Sequence, residues 1–303
     1  MRTFLLLILL AAARPAAAQA PAVTAEPETI HSDAQRENKG SIAGETVQAV
    51  LDPVYGVDGQ YARWKTPLCL NVYGLKPAAK ILVERRIRQI AAQVGAPVER
   101  RDPCTPNATI AFTTDLGATL ASIHKARDWL LPDYDFIRMR LKQSLPVQAW
   151  YAVAIQGADG RRQLVSALDE GAPETPVVAV SGAESSLLDT GIATSIATVM
   201  IVVDTRAVTG KPLGTLADYF ALLALSQARD TRRCKPVSSI ANLMHADCAA
   251  ALQPDGITET DLALLTALYQ TSDTSLQKLQ RQRIMGNMRR ALEAGSAPAS
   301  LSP

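Results

Sequence analysis

The chain has 303 residues, with 31 basic and 29 acidic side chains, three histidines and four cysteines. A formal net charge of +2 gives no general attraction for nucleic acid or for an anionic membrane surface, so neither is expected as a partner. Apolar residues make up 48% of the chain, enough for a sizeable core.

The N-terminus has a short basic start (Met1-Arg2-Thr3), an apolar run of 10 residues from Phe4 to Ala13, and small residues at A-x-A spacing that fit a cut after Ala18 or Ala20. A membrane-spanning helix needs about 20 apolar residues, and Arg14-Pro15 closes this run too early. Residues 1–20 therefore read as a cleavable secretory signal, and the protein as exported, either periplasmic or secreted. Cleavage would remove two of the 31 basic residues and no acid, which balances the 29 acidic ones. No later segment is long and apolar enough to span a bilayer, so no transmembrane segment is expected in the mature chain.

Residues 21–45 are polar, carry Pro and Gly and lack apolar periodicity; they read as a flexible arm. Residues 293–303 read as a disordered tail, which leaves a single domain over 46–292. Within it, a strand is expected over 67–73, a helix over 77–94 stopped by Gly95, a buried strand over 108–113, and helices over 115–127 and 135–142. A strong strand follows over 147–155, weaker ones over 162–167 and 176–180, and the most apolar strand over 196–203. Helices are then expected over 216–227, 258–269 and 275–294. This order predicts an α+β fold, a mixed sheet with packed helices.

Cys69, Cys104, Cys234 and Cys248 form an even set in an exported chain, which suggests two disulfides with three possible connectivities. The pairing Cys69–Cys104 and Cys234–Cys248 is favoured because each bond closes a short local loop. A Cys/His metal site is not expected: no C-x-x-C pair exists, and His31, His124 and His245 are scattered.

No phosphate loop, dinucleotide fingerprint or G-x-S-x-G elbow is present, so no cofactor is expected. Ser122 to Lys125 matches S-x-x-K, the nucleophile-plus-amine spacing of penicillin-recognising enzymes, but the companion K-T-G and S-D-N elements are missing, and the pair reads rather as the polar face of a surface helix. Asp218 lies early in an otherwise apolar helix. It reads either as a charge favoured near a helix N-terminus or as a functional carboxylate. These three residues are the weak catalytic candidates. The last helix carries Leu276, Leu279, Met285, Met288 and Leu292 on one face with basic residues around it, which fits either packing onto the domain or lying on a membrane.

Two segments carry a resemblance. Residues 256–269 (GITETDLALLTALY) resemble the L-S-x-x-D-x-x-x-[IL]-x-x-L-Y helix that follows the Met-turn of metzincin zinc proteases. Residues 240–245 (IANLMH) look like the turn itself, with Met244 as its methionine. The strand over 196–203 and the helix over 216–227 are similar to the edge strand and active-site helix of that fold, so the resemblance covers about residues 190–270. It implies a degenerate zincin-like domain. Metzincins carry H-E-x-x-H-x-x-G-x-x-H, with two histidines one turn apart on one metal and the glutamate as base. Laid on that motif, the ligands become Ala217, Ala221 and Gln227, the glycine becomes Ala224 and the base becomes Asp218. The pattern is also similar to exported bacterial proteins of this size. The resemblance thus implies a pseudoenzyme: a non-catalytic, protease-like binding or assembly module of the cell envelope, without metal, acting on an unknown protein or envelope ligand. The alternative is a periplasmic hydrolase whose site is not readable from spacing.

Overall fold

A computed structural model describes residues 26–52, 60–101, 103–126, 128, 131, 134–141, 146–157, 162–166, 191–228 and 233–295. The chain divides into two compact units, Met1–Gln35 and Arg36–Pro303. Of the first, only helical backbone from Glu26 is described. The expected signal, the strand over 176–180 and most of the tail lie outside the described residues.

The second unit is α+β. Its elements are α1 (Glu26–Val50, which begins in the first unit), β1 (Arg63–Trp64), β2 (Leu70–Tyr73), α2 (Pro77–Gln93), β3 (Ala108–Thr113), α3 (Leu116–Ala126) and α4 (Tyr134–Leu141). They continue with β4 (Val147–Gln156), β5 (Arg162–Ser166), β6 (Ala193–Asp204), a short α5 (Thr205–Val208), α6 (Leu213–Leu225), α7 (Glu259–Gln270) and α8 (Gln277–Gly295). The strands form one mixed sheet in the order β2-β3-β6-β4-β5, with β1 also on β6. Pairings β2–β3, β3–β6 and β1–β6 are parallel; β4 runs antiparallel to both β6 and β5.

The centre is β6, whose β-branched run suits a strand covered on both faces. Val199, Ile201 and Val203 enter the main core, and Met200 and Val202 enter a smaller one on the opposite face with Leu120, Leu131, Ile137 and Trp150. The main core is built by α2 and α6 together with the α7–α8 pair. Every residue of α6 from Thr215 to Leu225 is buried, and the Phe220 ring meets Phe112 of β3 edge-on at 5.6 Å between centroids.

Residues 26–45 had been expected in a flexible arm; instead they lie in α1. The later turns of α1 carry Ala43, Val47 and Val50 at helical spacing, all fully buried. A Cβ at Gly44 would come 3.2 Å from Met285 Cε of α8. Polar composition misleads here because one narrow apolar stripe is enough to dock a helix. At the other end α8 continues to Gly295, past the expected boundary at 292. Its Ile284 and Met288 are buried, and Met285 and Leu292 pack against the core, so the apolar stripe is used within the domain.

Both favoured disulfides, Cys69–Cys104 and Cys234–Cys248, are present. Gly95 ends α2 with φ 80°, in a Schellman arrangement: Gly95 N–H donates to Ala92 O and Ala96 N–H to Ala91 O. Gly74, between β2 and α2, has φ 81°, and a Cβ there would lie 2.0 Å from Phe112 O. Gly74→Ala is therefore expected to lose about 1–3 kcal/mol from backbone conformation alone, with displacement of β2 from β3 adding to it. Urea unfolding measures the loss, and a change below about 0.5 kcal/mol, the size of an ordinary surface substitution, would contradict it.

Candidate functional site

The residues that could carry chemistry gather around α6 and the segment from Ser239 to Asp261. The helix starts at Leu213, not Leu216, so Asp218 is in its second turn and outside the reach of the helix N-terminus. Its position has another cause. Arg86 of α2 holds it through two bonds, Nε to Oδ1 at 2.5 Å and Nη2 to Oδ2 at 3.1 Å, and the Ile257 N–H donates to Oδ2 at 2.9 Å. One turn earlier, Thr215 Oγ1 donates to Asp255 O at 2.6 Å. Asp218 is 5% exposed. The bond to Asp218 raises the Arg86 pKa, burial opposing it. A carboxylate held by a bidentate guanidinium and a backbone N–H has its lone pairs committed, so it acts as a clamp between α2, α6 and the entry to α7.

Asp261 does similar work one step further on. Thr258 caps α7 and forms a full capping box with Asp261. Oδ2 of Asp261 accepts from Thr258 N–H, Thr258 Oγ1 and Ile240 N–H at 2.9–3.0 Å, and Oδ1 accepts from Ser239 Oγ at 2.5 Å. The side chain is fully buried, and this burial pushes its carboxyl above the ordinary value against the pull of those donors. Asn242, in the 3₁₀ turn Ile240–Asn242, completes the arrangement. Its Nδ2 donates to Lys235 O, Val237 O and Leu252 O, and its Oδ1 accepts from Lys235 N–H. Met244, just after this turn, packs half-buried against the main core.

The positions that the resemblance assigns to metal ligands do not fit a metal. Ala217 and Ala221 have no donor atom and are sealed in the core at 0% exposure. Gln227 lies beyond the helix end at Leu225, and its buried Oε1 has no partner. Among the described residues, no three His, Cys, Asp or Glu side chains are grouped to hold a metal ion. His124, on α3, stacks on Tyr134 of α4 with centroids 4.0 Å apart. His245 lies in the loop closed by Cys234–Cys248.

Ser122 and Lys125 are both exposed on α3, and neither bonds the other. Ser122 borders a cavity of about 360 Å³ on the α3 face of the sheet. A larger cleft of about 680 Å³ opens at the carboxyl end of β6, lined by Asp204, Arg206, Lys211, Leu116, Met244 and Gln253 among others. Clefts at carboxyl ends of strands are frequent ligand sites in α/β sheets. Asp204 and Arg206 pair with each other there, at 2.9 Å.

Sequence reasoning missed Arg86, Ser239 and Asn242. Arg86 sits in the basic run Arg85-Arg86-Ile87-Arg88, where nothing local marks one arginine as turned inward; Ser239 and Asn242 sit in a loop with no periodicity to mark them. The fold and this site define an α+β protein whose buried carboxylates brace its own loops. No protein-family model, curated protein or solved structure matches the chain.

Proposed function

We propose that the chain is a non-catalytic binding or assembly module of the cell envelope, built on a degenerate zincin-like frame. The observation that carries this is the state of α6: Ala217 and Ala221 are sealed in the core, and Asp218, at the place of the base, is tied to Arg86 and Ile257. Three further features support the frame. The helix after β6 is buried, it stops at Leu225, and Met244 follows in a turn braced by the carboxylate of the next helix; β6 itself is the central strand between β3 and β4, not the edge strand that the resemblance implies. Two disulfides fit an oxidising compartment such as the periplasm, as does the secretory-type N-terminus. Among the described residues, no helix is long and apolar enough to cross a membrane. The cleft at the end of β6 is the surface this reading assigns to a protein or envelope ligand.

The test has two arms. Purified oxidised protein, supplied with zinc, is incubated with casein and with ester substrates; turnover equal to the buffer blank is expected. Zinc-dependent turnover that a chelator abolishes would overturn the reading. In the second arm, a photo-cross-linking side chain replaces exposed Ala246 at the cleft rim in the expressing cell. A discrete envelope adduct, absent when the same group replaces exposed Arg138, is expected. Loss of turnover in Ser122→Ala, should turnover exist, would move the assignment to a hydrolase.

A further inference from the structure

The cavity of about 360 Å³ lies on the opposite face of the sheet from α6. On β3, Ala108, Ile110 and Phe112 point into the main core, so Thr109 and Ala111 point the other way. With Met200 of β6 they form the floor; Thr119, Ser122, Ile123 and Ala126 of α3 form one wall, and Tyr73 stands at the edge. The volume falls in the range of small-molecule sites, about 300–1,000 Å³.

Among the described residues, its lining contains no charged side chain. Its polar groups are hydroxyls, and three of them are available. Among the described residues, none is bonded to the Thr109 or Ser122 hydroxyl. Tyr73 accepts from Asn71 Nδ2 at 2.7 Å, and Lys80 Nζ on Asn71 Oδ1 at 3.0 Å orients that amide. The phenol's lone pair is thereby used and its own proton is left to donate. Thr119, by contrast, already donates to Thr113 Oγ1 at 2.8 Å. Tyr73 is 49% exposed, a large apolar surface to leave in water beside an apolar floor.

We propose that this cavity binds a small neutral molecule: an apolar ring or branched-chain body carrying a hydroxyl or carbonyl oxygen. The body lies against Ala111, Ile123 and Met200, and the oxygen meets Tyr73, Thr109 or Ser122. Against the described lining a carboxylate or ammonium would be desolvated without a charged partner, and the one ammonium near the edge, Lys80, is spent on Asn71, so charged analogues bind more weakly. The site is separate from α6 and from the cleft at the end of β6, so its failure would leave the proposed function standing, and the reverse holds too.

Calorimetric titration with cuminyl alcohol and with cuminate, which share one ring and differ in charge, tests the proposal on the oxidised protein. Saturable binding of the alcohol at one site is expected, with cuminate at least about tenfold weaker. Ala126→Trp, at the exposed last residue of α3, fills the mouth and is expected to abolish binding while circular dichroism stays unchanged. Ser122→Ala, Thr109→Val and Tyr73→Phe should each weaken the alcohol by about threefold to tenfold if they bond its oxygen, and one of the three must do so. Equal affinity for cuminate, unchanged affinity in Ala126→Trp, or no saturable binding of the alcohol would each overturn it.

Discussion

Replacing Asp261 by alanine is expected to destabilise the protein by about 3–5 kcal/mol, near the upper limit for single substitutions. The side chain accepts four bonds in a fully buried place. Its loss leaves the Ile240 and Thr258 N–H groups and the Ser239 hydroxyl without acceptors. Each such buried donor costs about 1–3 kcal/mol, partly recovered where the loop relaxes. Asp261→Asn keeps one oxygen for the backbone donors and offers its amide to Ser239 Oγ, so a smaller loss of about 1–2 kcal/mol is expected. Urea unfolding of both variants with the disulfides intact measures the difference. Equal losses would mean that charge, not donor satisfaction, holds the turn.

Much of the fold was legible because its strongest signals are local. The β-branched run of β6, the helical spacing in α2 and the Thr258-x-x-Asp261 cap each carry their own structure, and the structure places elements there. Short loop closure also led to the two disulfides found. The arm over 21–45 was misread because Ala43, Val47 and Val50 straddle the boundary where polar composition stops. Asp218 was misread for a different reason. Its partner Arg86 is 132 positions away, and no local pattern states which member of a basic run turns inward. The same holds for Ser239 and Asn242, whose importance exists only once α7 has delivered Asp261 beside them.

These misreadings share a direction. Asp218 and Asp261, the carboxylates that looked available for chemistry on α6 and α7, are engaged by long-range partners, whereas the hydroxyls of Thr109, Ser122 and Tyr73 lie on the other face of the sheet. The main core therefore behaves as a braced frame, which is why the proposed recognition surfaces lie on the α3 face and in the β6 cleft.

The bracing is most concentrated at the end of α6. A helix leaves its last four carbonyls without intrahelical partners, and here that end is buried. Leu222 O accepts from Ser226 N–H and Oγ, Leu223 O from Tyr151 OH at 2.9 Å, Ala224 O from Trp64 Nε1 at 2.6 Å, and Leu225 O from Tyr269 OH at 2.8 Å. Burial raises the Tyr269 pKa well above the ordinary phenol value, so the hydroxyl keeps the proton it donates. Three aromatic tips from β4, β1 and α7 thus tie the sheet and the helix pair to one helix end. Tyr151→Phe, Trp64→Phe and Tyr269→Phe are each expected to cost about 1–3 kcal/mol by leaving a buried carbonyl bare. Trp64→Phe stands at the top of that range because it also removes ring volume. The triple variant then approaches the whole stability of an ordinary domain, about 5–15 kcal/mol, and should fail to fold at 37 °C. Far-ultraviolet circular dichroism in urea separates the cases. Three single variants within about 0.5 kcal/mol of the parent would show that the helix end is hydrated and that α6 is not the keystone of the frame.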